Sequence, residues 1–238
     1  MLRRLAVMDL AAPLPAAVLW DMDGTLVDTE PYWIEAEHEI VEAAGGEWND
    51  DYALQLVGKD LNVSASFIRD HSPITWDNER IIEELLVRVV ARVTEHVPWR
   101  PGARELLADL GASGVPCALV TMSWRSLAGA VIDALPEGSF AAVITGDEVE
   151  HGKPHPEPYW AACRGLGVEA GDCIALEDSP TGVRSAVAAG VPTIAIPFVI
   201  PVPEIAGAVQ IGTLAGLTPD NLARLGQQAR VSMGTESA

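Results

Sequence analysis

Four short apolar runs stand out along the chain, at residues 17–20, 116–120, 173–176 and 192–196, and each closes on polar residues. A weaker fifth run covers 141–144. These runs are apolar throughout instead of alternating, the pattern of strands buried on both faces. Between them, residues 103–110, 125–135, 158–166 and 180–189 carry apolar positions at helical spacing. Strands alternating with helices of that length predict an α/β fold, a doubly wound parallel sheet with helices on both faces.

Residues 30–97 break this rhythm. No strand is evident there, and the apolar positions recur with helical period. Ile81, Ile82, Leu85, Leu86, Val89, Val90, Val93 and Val97 form one face, while Glu83, Glu84, Arg88, Arg92 and Glu95 lie on the other. Upstream, Trp33, Glu37, Ile40, Val41 and Ala44 outline a helix that stops at Gly45-Gly46. Val97-Pro98 and Pro101-Gly102 mark the way back to the strands. The expected organisation is therefore a core of residues 17–29 and 98–225 with an all-helical cap inserted at 30–97. The ends, 1–16 and 226–238, are expected to be flexible, because the last residues turn small and polar.

Composition narrows the partners. Of 238 residues, 49% are hydrophobic, which is enough for a sizeable core. A formal net charge of −19, from 34 acids against 15 Lys and Arg, argues against nucleic acid, whose phosphates need a basic face. Three cysteines without ligand or pairing spacing fit a reducing compartment. The opening run from Met1 to Met8 resembles a leader, but Asp9 cuts its apolar stretch short, so it is read as an extension. No run reaches the length of a membrane span. A cytoplasmic monomer without membrane partners is expected.

The chemistry collects at strand ends, where open parallel sheets bind their ligands. The first strand runs into Asp21-Met22-Asp23-Gly24-Thr25, and the second into Thr121-Met122-Ser123. A later loop carries Gly152-Lys153-Pro154, and the run from Cys173 ends in Glu177-Asp178. Four carboxylates at one place need a cation, most simply Mg²⁺, and such a cation can also offset phosphoryl charge. Asp21 and Asp23 are separated by one residue, so an extended chain turns both toward one ligand. One can attack phosphorus while the other protonates the leaving oxygen.

These four segments, in this order, resemble the haloacid dehalogenase-like superfamily of phosphohydrolases. The resemblance implies Asp21 as nucleophile and Asp23 as general acid and base. It implies Thr121 and Lys153 as catalytic holders of the phosphoryl group, with Gly24, Thr25, Met122 and Ser123 binding substrate around them. Asp21, Asp23, Glu177 and Asp178 are implied as the magnesium site. The helical insert is similar to the family's cap, where Lys59, in a loop of that insert, is a candidate substrate contact.

The stretch from Asp21 to Trp33, followed by Ala36-Glu37, is similar to bacterial sugar-phosphate and hexitol-phosphate phosphatases, including the 2-deoxyglucose-6-phosphate type. A small sugar or polyol phosphate is the expected substrate. The alternatives are a β-phosphoglucomutase-like mutase and a catalytically silent member binding a phosphorylated ligand or a protein. The mutases carry a histidine where this chain has Trp33, and the complete motif set argues against silence. Asp28 and Thr29 are expected to cap the first helix of the insert, and Trp33 to pack within it. No histidine is assigned to a metal.

Overall fold

The computed structural model describes residues 12–234. The segment resembling a leader lies outside them. Six strands form one parallel sheet: β1 (Ala17–Trp20), β2 (Cys117–Val120), β3 (Ala142–Ile144), β4 (Cys173–Glu177), β5 (Thr193–Ala195) and β6 (Ala208–Gln210). Their order is β3-β2-β1-β4-β5-β6. The chain winds outward from β1 in both directions, so the topological switch lies between β1 and β4, where a doubly wound sheet opens its binding crevice. In register, Trp20 pairs with Leu119 on one side and Leu176 on the other, so three polar strand ends begin at one level.

The central strands β1, β2 and β4 are buried along their whole length, which is why their sequences are apolar runs. Helices α5 (Ala103–Ala112), α6 (Arg125–Ile132), α7 (Glu157–Leu166), α8 (Pro180–Ala188) and α9 (Pro219–Gly234) flank the sheet. One apolar cluster gathers Val18, Trp20, Leu106, Leu119, Ile174 and Leu222, and a second gathers Leu19, Val120, Tyr159 and Ala175. The alternation of β1 side chains between these clusters reflects the period of two along a strand.

Four helices fill the insert: α1 (Glu30–Ala43), α2 (Asp50–Leu56), α3 (Leu61–His71) and α4 (Asn78–Glu95). Asn49, Asp60 and Asp77 each turn a side-chain oxygen onto a backbone N–H at the start of a helix, satisfying donors that a helix leaves free. A cluster of Trp48, Tyr52 and Phe67 ties the middle of the insert together, with ring centroids 5.2–6.2 Å apart. The way in and the way out lie side by side. Asp28 N–H donates to the Pro98 carbonyl at 2.8 Å, and Arg100 N–H donates to Leu26 at 2.9 Å.

The chain end differs from expectation. Where residues from 226 onward were expected to be flexible, α9 continues to Gly234 with Gly226 and Ala229 buried. Its buried face is built from small residues. A Cβ on Gly226 would overlap the end of the Ile174 side chain, so the helix lies close to the sheet here. Among the described residues, no helix is long and apolar enough to cross a membrane.

Candidate active site

β1 delivers Asp21 directly, with its N–H bonded to the Leu176 carbonyl at 3.0 Å. The chain then bends. Gly24 has φ +88°, and its N–H donates to Val27 at 2.7 Å. A Cβ at this position would run into the Asp178 carboxylate, so Gly24 serves both the bend and the close approach of that side chain. The bend returns Thr29 to Asp23, where the Thr29 hydroxyl donates to Asp23 Oδ1.

Asp23 is held by three hydroxyls from two segments. Its Oδ2 accepts from Ser123 Oγ at 2.7 Å and from Thr121 Oγ1 at 3.3 Å, both just past β2. Burial pushes the Asp23 carboxyl above its ordinary range, and Asp21 pushes the same way, while the hydrogen bonds from Thr29, Ser123 and Thr121 pull it back. The result is a carboxyl that keeps its proton longer than an exposed aspartate and lies in a cavity shared with Asp21.

Lys153 lies across from it. Its ammonium donates to Asp21 Oδ1 at 2.7 Å, to the Val120 carbonyl at 2.9 Å and to Glu177 Oε1 at 2.5 Å. Burial disfavours that charge, but Asp21 and Glu177 more than offset it and hold the lysine protonated. Met122 supports the lysine's loop, its sulfur accepting from Lys153 N–H at 3.2 Å.

Asp21, Glu177 and Asp178 bring a carboxylate oxygen each within 4.8 Å of one another. Asp21 Oδ2 is buried and has no hydrogen-bond partner among the described residues. Burial, followed by the charges of Asp21 and Glu177, pushes Asp178 well above the usual carboxylate range. An orphaned buried oxygen among carboxylates that repel one another suits a hard cation. Glu177 is wholly buried and bonded to Lys153 and to Tyr159 Oη at 2.6 Å. Asp178 faces the cavity, and Glu177 is not among the residues lining it.

A cavity of about 180 Å³ joins these strand ends to the insert. Asp21, Asp23, Gly24, Thr121, Met122, Ser123, Lys153 and Asp178 line it from the sheet side, and Lys59 lines it from the loop after α2. Thr25 does not reach it. That side chain is buried, and its hydroxyl has no partner among the described residues.

Other residues depart from the sequence reading. Thr29 does not cap α1 with its side chain but binds Asp23, and Asp28 and Trp33 line the cavity. Glu30 and Glu37 line it too. Burial raises their carboxyls to about 7 and about 8, assisted by the charges of Asp23 on Glu30 and of Glu30 on Glu37. The spacing of Glu30, Trp33 and Glu37 along one helix face was the available signal; which way that face points depends on tertiary packing. Away from the cavity, His151 and His155 meet Glu157 on the surface, where His151 Nδ1 is 3.0 Å from Glu157 Oε2.

Residues 18–196 match the family of haloacid dehalogenase-like hydrolases. The chain belongs to that family. Protein CbbY of Cupriavidus necator is 33% identical over 201 residues, covering 76% of this chain and 78% of the relative. Hexitol phosphatase B of Escherichia coli is 29% identical over 223 residues, covering 87% and 96%. A mutant CbbY of Rhodobacter sphaeroides, solved in complex with xylulose-(1,5)bisphosphate, superposes with a TM-score of 0.80 at 28% identity over 88% of this chain and 99% of that one. The six-stranded parallel sheet flanked by helices is thus that of a haloacid dehalogenase-like enzyme.

Proposed function

We propose that the chain is a Mg²⁺-dependent phosphomonoester hydrolase acting on a small sugar or polyol phosphate through an aspartyl-phosphate on Asp21. The observation that carries this reading is the pairing of two differently treated aspartates in one cavity. Asp21 has one oxygen on the Lys153 ammonium and the other without a partner, whereas Asp23 is wrapped in hydroxyls and its carboxyl is raised. Two carboxyl groups in such different surroundings take the roles of nucleophile and acid. The names of the E. coli hexitol phosphatase and of its relatives support the same reaction class.

In the first half-reaction an Asp21 oxygen attacks phosphorus, and the bond from phosphorus to the leaving oxygen breaks. Asp23 gives its proton to that oxygen, so the alcohol departs neutral. In the second half, Asp23 takes a proton from water as the water oxygen attacks the aspartyl phosphate, which restores Asp21 and releases phosphate. Lys153 offsets charge on Asp21 and on the transferring group, and Thr121 and Ser123 hold Asp23 in place. Asp21 and Asp178, with Glu177 behind them, would hold Mg²⁺, which when bound supplies charge neutralisation for phosphoryl oxygens. The helical insert serves as the cap over the cavity and limits the entry of water. Phosphate release with Mg²⁺ across a panel of phosphorylated metabolites, ranked by kcat/KM, tests this reading. Sugar and polyol monophosphates should lead, and an absence of turnover anywhere in the panel would sink it.

A further inference from the structure

One stripe of α1 lines the cavity from the insert, beside the loop after α2 and the start of α3. Glu30, Trp33 and Glu37 are spaced three and four residues apart, so they stack on one helix face, and all three line the cavity. Glu37 is 5% exposed. Its Oε2 accepts from Trp48 Nε1 at 3.1 Å, and Trp48 is fixed by Tyr52 and Phe67, so the carboxyl group is held in place. No group among the described residues bonds its other oxygen. That oxygen is not sealed from solvent: it opens into the cavity, where water or a ligand hydroxyl can bond to it.

The charge on this side is one-sided. Asp28, Glu30, Glu37 and Asp60 face the cavity from the insert and its entry, against Lys59 alone. A second phosphate placed there would meet the side chains of Asp28 and Asp60 and two carboxyls that offer it no positive charge, and would also have to give up its hydration. A neutral chain bearing hydroxyls meets no such penalty. Its hydroxyls can donate to or accept from the two carboxyls, and its C–H edges can lie on the Trp33 ring.

We infer that Glu37, assisted by Glu30, selects the leaving group, and that the substrate is the monophosphate of an uncharged polyol and not a bisphosphate. This rests on the phosphatase reading and sharpens it. Such a site, built to bond hydroxyls, discriminates sharply against a ligand that lacks them, because its buried polar groups are then left unpaired.

The test compares sorbitol 6-phosphate, fructose 1,6-bisphosphate and propyl phosphate with the full chain and Mg²⁺, and includes p-nitrophenyl phosphate as a general phosphatase probe. In the wild type, kcat/KM for sorbitol 6-phosphate should exceed that of each of the other two alkyl phosphates by at least about tenfold. In Glu37→Leu its advantage over propyl phosphate should collapse about tenfold or more, and Glu37→Gln should restore part of it, because an amide still bonds hydroxyls. Damage that is only structural would lower both substrates and leave their ratio in place. That outcome, or a bisphosphate turned over as well as the monophosphate, overturns the inference. Turnover of p-nitrophenyl phosphate without any polyol preference overturns this inference alone, and no turnover of any of the four overturns the phosphatase reading with it.

Discussion

The Lys153 ammonium stands 2.7 Å from Asp21 Oδ1 and 2.5 Å from Glu177 Oε1, so one buried cation is shared by two buried carboxylates that come from different strands. This triad locks the loop carrying Lys153 to the sheet and leaves Asp21 with its second oxygen open. Removing the lysine should therefore cost both stability and rate. Lys153→Met leaves Glu177 buried with the hydroxyls of Tyr159 and Ser179 as its remaining partners, and breaking a buried pair in this way costs about 3–5 kcal/mol. Urea denaturation at neutral pH should show that loss. Turnover should fall by about 10²–10³, the range for losing a group that meets developing charge. A variant with wild-type stability would mean that the triad is not what holds the loop.

The second prediction concerns the proton on Asp23. Its carboxyl is raised by burial and by Asp21, and its proton is needed for the leaving group, so the alkaline limb of activity on alkyl phosphates should fall as pH rises through the folded-state value of Asp23. The Thr29 hydroxyl pulls that value down, so Thr29→Val should move the alkaline limb to higher pH. Asp23→Asn should lower kcat by about 10²–10⁴ on alkyl phosphates. On p-nitrophenyl phosphate, whose leaving group departs without a proton, the first half-reaction should be largely spared, so the aspartyl phosphate should form and then accumulate because the base for its hydrolysis is gone. A Thr29→Val profile that superposes on the wild type would contradict this account of Asp23.

A third prediction follows from Gly24. Its φ of +88° disfavours a side chain, and a Cβ would displace Asp178. Gly24→Ala should lower stability by about 1–3 kcal/mol in thermal melts. It should also raise the Mg²⁺ concentration needed for half-maximal turnover, since Asp178 moves. If stability alone changes, Asp178 does not take part in binding the cation.

Much of the architecture is legible in the residues, for a physical reason. β1, β2 and β4 are buried on both faces, so their apolar runs carry no alternation to confuse them with other elements. α4 keeps a wide apolar stripe because it packs against α1, α3 and α6. By contrast β6 is a three-residue edge strand with partly exposed side chains, and nothing in Ala208-Val209-Gln210 marks it. α9 hides for the opposite reason. Its buried face is mostly small, with Ala223, Gly226 and Ala229, and close packing of small residues leaves no hydrophobic stripe to read.

The site divides along the same line. Asp21, Asp23, Lys153 and Asp178 lie on strand ends or short loops whose positions follow from the topology, and the structure gathers them around one cavity. The contacts of Thr29, Trp33 and Glu37 depend on how a helix of the insert rotates over the sheet. That rotation is set by its packing on α4 and by Trp48, residues distant in the chain, and no local spacing reveals it.

The central claim is that Asp21 becomes phosphorylated during turnover. The direct measurement is acid quenching of the enzyme with Mg²⁺ and a turning-over phosphomonoester, followed by peptide mass spectrometry. A phosphate on the peptide containing Asp21, absent in Asp21→Asn together with turnover, is the predicted result. Turnover without a phosphorylated peptide, phosphate on another residue, or full activity in Asp21→Asn would contradict it.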